Sequence, residues 1–167
     1  VANTKTLIGD KRVFALLAFY GSSPTTEAMN TVFGPARVPL VGTISGAGTL
    51  REPIAKNPNS HYMFNVRASY ADETEAIINQ LVSLGLKNIA VFYQNDGFGK
   101  SGLEGVTASL QKHHLAPSPV APVERNSVDA AAAVVMALVA PVTAVTEALL
   151  SRRVVVTEIS SPALAPT

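Results

Sequence analysis

The chain has 167 residues, 47% of them hydrophobic and 15% charged, a balance that calls for a folded core and excludes a disordered polyelectrolyte. Thirteen Lys and Arg against twelve Asp and Glu leave a net charge of +1 with no basic run, so the electrostatic footprint of a nucleic-acid binder is absent. The lack of Cys excludes disulfides, thiolate metal sites and cysteine nucleophiles together. No charged-then-apolar leader follows Val1.

In chain order, Asn3 to Asp10 reads as the tail of a helix and Val13 to Phe19 as an apolar strand. The turn Gly21-Ser22-Ser23-Pro24-Thr25-Thr26 then opens a helix that runs to about Phe33. Ser22 or Ser23 suits its cap, Pro24 its first turn, and Glu27 adds negative charge near its amino end. Gly34-Pro35 ends it, and Val38 to Gly42 forms a second strand. The small-residue loop Thr43 to Gly48 leaves that strand, and the two loops lie side by side if their strands are neighbours in a parallel sheet. Arg51 to Ser60, rich in Pro and Asn, is a loop, and His61 to Arg67 an extended crossing strand.

The most informative stretch is Arg67 to Glu104. Asp72 and Glu75 place negative charge at the start of a helix whose apolar face is Ile77, Ile78, Leu81 and Val82, and Gly85 stops it in a left-handed conformation. Ile89 to Tyr93 is too short for a helix and reads as a buried strand. Its carboxyl end opens into Gln94-Asn95-Asp96-Gly97-Phe98-Gly99, where an open parallel sheet puts its ligand. A helix from Lys100 to His113, a strand from Ser118 to Glu124 and an Ala-rich helix from about Val128 continue the alternation. Ala130 to Thr146 is uncharged, but it is broken by Pro141 and falls short of the roughly 20 residues of a membrane span. The fold class is therefore α/β, with two Rossmann-like lobes built on parallel sheets.

Several chemistries can be weighed directly. Gly97-Phe98-Gly99-Lys100-Ser101-Gly102 fits the dinucleotide pattern G-x-G-x-x-G, with Glu124 near the expected distance. It keeps a nicotinamide-dependent oxidoreductase as the alternative reading, although three residues separate strand from first glycine and Phe98 and Lys100 crowd the turn. His61, His113 and His114 have no carboxylate at metal-ligand spacing, and no nucleophile elbow occurs. No catalytic, metal or cofactor residue is assigned.

Read together, FYGSSPTTEA, VPLVGTISGAGTLREP, YMFNVRASYADETEAI, NIAVFYQNDGFGKSGLEGV and VERNSVDAAAAV resemble the type I periplasmic solute-binding proteins of ABC transporters, in the branched-chain amino-acid (Leu/Ile/Val) family. The match spans about Thr4 to Val134. The resemblance implies two α/β lobes that close on a small polar solute and then present it to a membrane permease, in the periplasm. It divides the chain into a partial first lobe (1–60), a crossing strand (61–67), a partial second lobe (68–152) and a return segment with a tail (153–167). Relative to the family pattern a strand, helix and strand are expected ahead of Val1, and further elements between Val134 and Arg152 and after the return. A shortened chain of this kind raises the alternative of a fragment that binds nothing, and exposed sheet edges lead to an expectation of self-association or of disorder near Val1 and beyond Pro141.

The resemblance also implies ligand residues. Ser22, Ser45, Gly46 and Ala47 hold the motif positions that grip the ligand carboxylate from the first lobe. Tyr70 and Phe98 hold those that line the cleft from the second. Small residues that let backbone N–H groups approach an anion suit the first set, and an aromatic over a small ligand suits the second. The simpler alternatives are capping for Ser22, an ordinary turn for Ser45, a lid over its own helix for Tyr70 and packing under the glycine loop for Phe98.

Overall fold

The computed structural model describes residues 1–127 and the strand Val154–Thr157. They form two three-stranded parallel sheets with helices against them, the α/β arrangement expected. In the first sheet β1 (Leu16–Leu17), β2 (Leu40–Val41) and β3 (Met63–Phe64) lie in that order. Register pairs Leu16 with Leu40 and Leu40 with Met63, so those three side chains share one face. There they meet Met29 and Phe33 from the helix after β1 and Leu50 from a following turn, all buried. The strands are shorter than the apolar runs that encode them because Ala18 (φ 53°) and Gly42 (φ 70°) turn the backbone out of strand geometry just past each ladder.

The other row of the same sheet, Leu17, Val41 and Phe64, points to the opposite face. Leu17 is 72% and Phe64 53% exposed, so among the described residues this face has no covering layer. Parallel sheets ordinarily have both faces covered.

Helix α1 (Ala2–Gly9) occupies the end where disorder was one expectation, and Ile8 packs on the first core. Helix α2 (Ser22–Ala28) runs on into a π turn, Met29–Phe33, which delivers Met29 and Phe33 to the core with no exposed surface. The amino half of the expected crossing strand is instead a 3-10 turn, Pro58–Tyr62. Asn57 caps it by accepting from the Asn59 amide, and Pro58 fits its first position, so local turn chemistry outcompetes extension. What remains extended, Met63–Phe64, is a strand of the first sheet, and the crossover follows it.

Helix α3 (Tyr70–Ser83) begins at a reciprocal capping box: the Asp72 amide donates to Ser69 Oγ at 3.0 Å while the Ser69 amide donates to the Asp72 carboxylate at 3.1 Å. Its buried face is Ile78 with Leu81 and Val82, whereas Ile77 is 46% exposed and stands on the solvent side. Glu75 lies beyond the first turn and pairs with Lys112 of the next helix at 2.6 Å. Gly85 takes φ 80° after the helix, as its position suggested.

In the second sheet the central strand β4 (Ile89–Gln94) is flanked by β5 (Val120–Val123) and β6 (Val154–Thr157), all parallel. Between β4 and β5 runs α4 (Gly97–Lys112), which packs on α3. Ile78, Ile89, Val91, Val106 and Leu110 form the second core, separate from the first. β6 lies in the segment expected to return to the first lobe, and pairs with β4 from Ile89↔Val154 to Phe92↔Thr157. No described helix is long and apolar enough to cross a membrane, and the Ala130 to Thr146 stretch lies outside the described residues.

Two predictions follow from packing and capping. Leu40→Ala and Ile78→Ala, each emptying a fully buried site in a different core, should cost about 2–5 kcal/mol, whereas Leu17→Ala on the uncovered face should stay within about 0.5 kcal/mol, as read from urea denaturation. The Asp72 carboxyl is held below its ordinary pKa, first by the Ser69 hydroxyl and then by the Ser69 amide. Its contribution to α3 is therefore present above the unfolded carboxylate pKa of about 4 and lost as pH falls through the lower folded value. In Asp72→Asn the acid limb of the helical circular-dichroism signal should flatten.

Candidate ligand-binding cleft

The parallel pairing of β1 with β2 sets the loops that leave their carboxyl ends side by side. Two bonds to the Phe19 carbonyl fasten them: the Ile44 amide donates at 2.9 Å and the Thr43 hydroxyl at 3.1 Å. Across this seam Ser22 Oγ and Ser45 Oγ lie 2.8 Å apart, and the two residues are only 3% and 2% exposed. Neither Ser22 nor Ser23 caps α2. Gly21 takes the cap position without a side-chain bond, so Ser22 is free to face Ser45.

Counting donors shows what this pair can do. The Ala47 amide donates to Ser45 Oγ at 3.1 Å, and one hydroxyl proton is spent in the Ser22–Ser45 bond. Each serine carries one proton, so one O–H is left over whichever serine donates. Among the described residues the Gly46 amide also has no acceptor, although Gly46 is buried. Two unused donors in a buried, small-residue loop require an acceptor, and an anionic oxygen meets both.

The second lobe closes on this loop. The Tyr70 amide, at the start of α3, donates to the Gly46 carbonyl at 2.8 Å, and the Tyr70 ring lies flush on Gly46. A Cβ at residue 46 would sit 2.6 Å from Tyr70 Cδ1, so glycine is required there by close approach. Tyr70 and Phe98 meet edge to face with ring centroids 5.3 Å apart, and the Arg67 guanidinium sits 5.3 Å from the Tyr70 centroid. All six residues expected from sequence thus fall in one neighbourhood. Tyr70, 7% exposed, is sandwiched between Gly46 and Phe98, and Phe98 is partly buried. Beside Tyr70 a pocket of about 230 Å³ opens between Gly48 of the first lobe and Ala71, Ser101, Glu104 and Gly105 of the second; of the six residues only Tyr70 lines it.

The glycine loop after β4 serves contacts other than phosphate. The Asp96 carboxylate accepts from the Phe98 and Gly99 amides at 2.9 and 3.1 Å, filling the start of α4 where a pyrophosphate would have to sit. Gly97 donates its amide to Ser23 Oγ at 3.3 Å, a direct contact between the lobes. Gly99 packs against the Gln94 backbone, where a Cβ would come within 2.1 Å of the carbonyl oxygen. The dinucleotide pattern is therefore accounted for by capping and helix–strand packing. The histidines are spent at the surface, His61 against the Tyr62 ring and His113 on Asn79 at 2.7 Å, and no cluster of metal-ligating side chains occurs among the described residues.

The residue that sequence reasoning overlooked is Arg51. Its guanidinium reaches the Ser45 and Ala47 carbonyls, each at 3.4 Å, and the Arg67 and Ala68 carbonyls at 2.7 and 3.3 Å. Burial, and next the Arg67 guanidinium, lower its pKa from the ordinary arginine value, while Asp72, Tyr70 and Glu73 act the other way. Only its place just after the small-residue loop could have signalled this role.

Comparison with known proteins adds an independent line. A family model described as "Periplasmic binding protein" matches residues 1–155. A substrate-binding periplasmic protein from Ralstonia solanacearum is 31% identical and superposes with a TM-score of 0.72 over 83% of this chain and 37% of its own. A possible leucine/isoleucine/valine-binding protein from Rhodopirellula baltica SH 1 is 30% identical, with a TM-score of 0.66 over 77% of this chain and 34% of its own. A branched-chain amino acid ABC transporter protein from Thermus thermophilus, solved with bound valine, shares the fold at 16% identity and a TM-score of 0.68, over 92% of this chain and 43% of its own. The chain thus spans between about a third and under a half of the length of these structures. No match is found among curated proteins.

Gly46→Ala tests the close approach directly. The new methyl should push Tyr70 off the loop and break its amide bond to Gly46, lowering stability by about 1–3 kcal/mol and shifting the near-ultraviolet signal of Tyr70.

Proposed function

Because the chain belongs to the periplasmic binding protein family and shares its type I fold, we propose that it binds a small solute between its two lobes and that the solute is an amino acid of the branched-chain type. The observation that carries this reading is the pair of unspent, buried donors: one serine hydroxyl of the Ser22–Ser45 couple and the Gly46 amide. An α-carboxylate has two oxygens to accept from them, and charge-assisted bonds in a site of low water content are the strong kind. Phe98 supplies apolar surface for an aliphatic side chain, and Tyr70 forms the wall between that surface and the loop. The description of the Rhodopirellula baltica neighbour supports the branched-chain class.

On this reading the chain is the substrate-binding component of an ABC transporter, resident in the periplasm, and it delivers the closed, loaded form to a permease. Closure is a hinge motion about the segment after β3, with the Ser23–Gly97 contact marking the closed state. No step of bond making is involved, and the chain is a carrier rather than an enzyme.

Calorimetric titration with L-leucine, L-isoleucine and L-valine tests the proposal. Ser22→Ala and Ser45→Ala should each weaken binding by roughly ten-fold or more, the worth of a hydrogen bond to a charged group, and Ser45→Ala should also lower the melting temperature because the buried Ala47 amide loses its acceptor. A folded chain that ignores all three amino acids, or variants that bind as well as the parent, would overturn it.

A further inference from the structure

The orientation of the Ile44 to Ala47 loop is set from behind. Four successive carbonyls each have a donor on the same side. Ile44 accepts from Arg67 Nη1 at 2.7 Å, Ser45 from Arg51 Nη1 at 3.4 Å and Gly46 from the Tyr70 amide at 2.8 Å. Ala47 accepts from Arg51 Nη1 at 3.4 Å and from the Leu50 amide at 3.2 Å. In a planar trans peptide the N–H of the next residue points opposite to the carbonyl. Fixing the carbonyls of Ile44, Ser45 and Gly46 on Arg67, Arg51 and the Tyr70 amide therefore turns the amides of Ser45, Gly46 and Ala47 the other way, where Ser45 donates to Thr43 Oγ1 at 3.4 Å and Ala47 to Ser45 Oγ at 3.1 Å, and the Gly46 amide is left open.

We infer that Arg51 is the positioning residue that sets the direction of the open Gly46 amide and ties this loop to the entrance of the second lobe, an inference that rests on the ligand reading of the loop. The chemistry requires arginine. A planar guanidinium with five donors can bridge two carbonyls of the loop and, with its other nitrogen, the Arg67 and Ala68 carbonyls of the crossover. A lysine ammonium is a compact charge and cannot span both segments. The crossover in turn leads within two residues to the Tyr70 amide on Gly46, so loop and hinge form one unit. Arg67 closes the circuit, holding Ile44 on one side and the Glu73 carboxylate of α3 on the other. Two guanidinium groups side by side repel, and the carbonyls, with Asp72 and Glu73 nearby, compensate for that cost. Arg51 touches no ligand on this account. It acts through the peptide planes of the loop.

Amide hydrogen exchange resolved by residue tests the inference without a ligand. In Arg51→Ala, exchange at Tyr70 and Ala47 should rise at least ten-fold while the amides of β4 and α4 keep their protection. Millimolar guanidinium chloride should restore much of that protection, and sodium chloride at equal ionic strength should not. Arg51→Lys, which keeps charge and stem, should show the same local loosening and serves if the alanine variant fails to fold. Unchanged exchange at Tyr70, full protection in Arg51→Lys, or an equal rise in both lobes would overturn the inference. Titration of the same variants with L-leucine, L-isoleucine and L-valine separates the two claims. If the serine variants lose binding and Arg51→Lys keeps both loop protection and full affinity, positioning fails and the ligand reading stands. If the arginine variants loosen the loop but the serine variants bind normally, the ligand reading fails instead.

Discussion

The site depends first on the parallel pairing of β1 with β2. In a parallel pair both carboxyl ends face the same way, so the chain leaves the two strands at one level and two loops from distant parts of the sequence become neighbours. The Phe19 carbonyl then accepts from both Thr43 and Ile44, and this fastens the second loop to the first before any side chain of the site is considered. Without that register, Ser22 and Ser45, 23 residues apart in sequence, would have no reason to meet at 2.8 Å.

Once the loops are fixed, polarity follows from accounting for each hydrogen bond. Carbonyls on one side of the Ile44 to Ala47 loop are satisfied by Arg51, Arg67 and the first amide of α3, and its amides are thereby turned to the other side, where Gly46 is left unpaired. A buried donor without an acceptor is a cost that a folded protein rarely carries. Here it coincides with a spare serine proton. The glycine loop after β4 has the opposite character. Its amides are already spent on Asp96 and Ser23, so a sequence pattern associated with phosphate binding here serves helix capping and contact between lobes.

The two hydrophobic cores are separate, and beside the packing of the Tyr70 ring on Gly46 the lobes are joined by polar contacts: a backbone bond from Tyr70 to Gly46, the arginine network and the Ser23 to Gly97 bond. Polar contacts of this sort are exchangeable with water at small net cost. The row Leu17, Val41 and Phe64 is of another kind, since an apolar face of a parallel sheet gains nothing from water and calls for a covering layer.

Local pattern alone determined the helices and the existence of the sheets. The α3 helix announces itself through Asp72 near its start and through Ile78, Leu81 and Val82 at helical spacing, whereas its Ser69 cap emerged only from the structure. The apolar run at Ile89 is long enough for a strand and too short for a helix. That the loops carrying Ser22 and Ser45 lie side by side was also legible, because loops at the carboxyl ends of neighbouring parallel strands leave at one level, whereas Tyr70 and Phe98 were tied to them only through the family resemblance. Sequence could not decide what each group is bonded to. Whether Ser22 caps its helix or meets Ser45 turns on a cap taken by Gly21, and whether Asp96 is free or already fills the start of α4 turns on a side-chain rotamer. Strand ends at Ala18 and Gly42 depend on backbone angles, and Ile77 faces solvent because α4 packs one residue further round the helix. Arg51 was illegible for the same reason. Its partners are four backbone carbonyls from two segments, and backbone carbonyls leave no signature in a sequence.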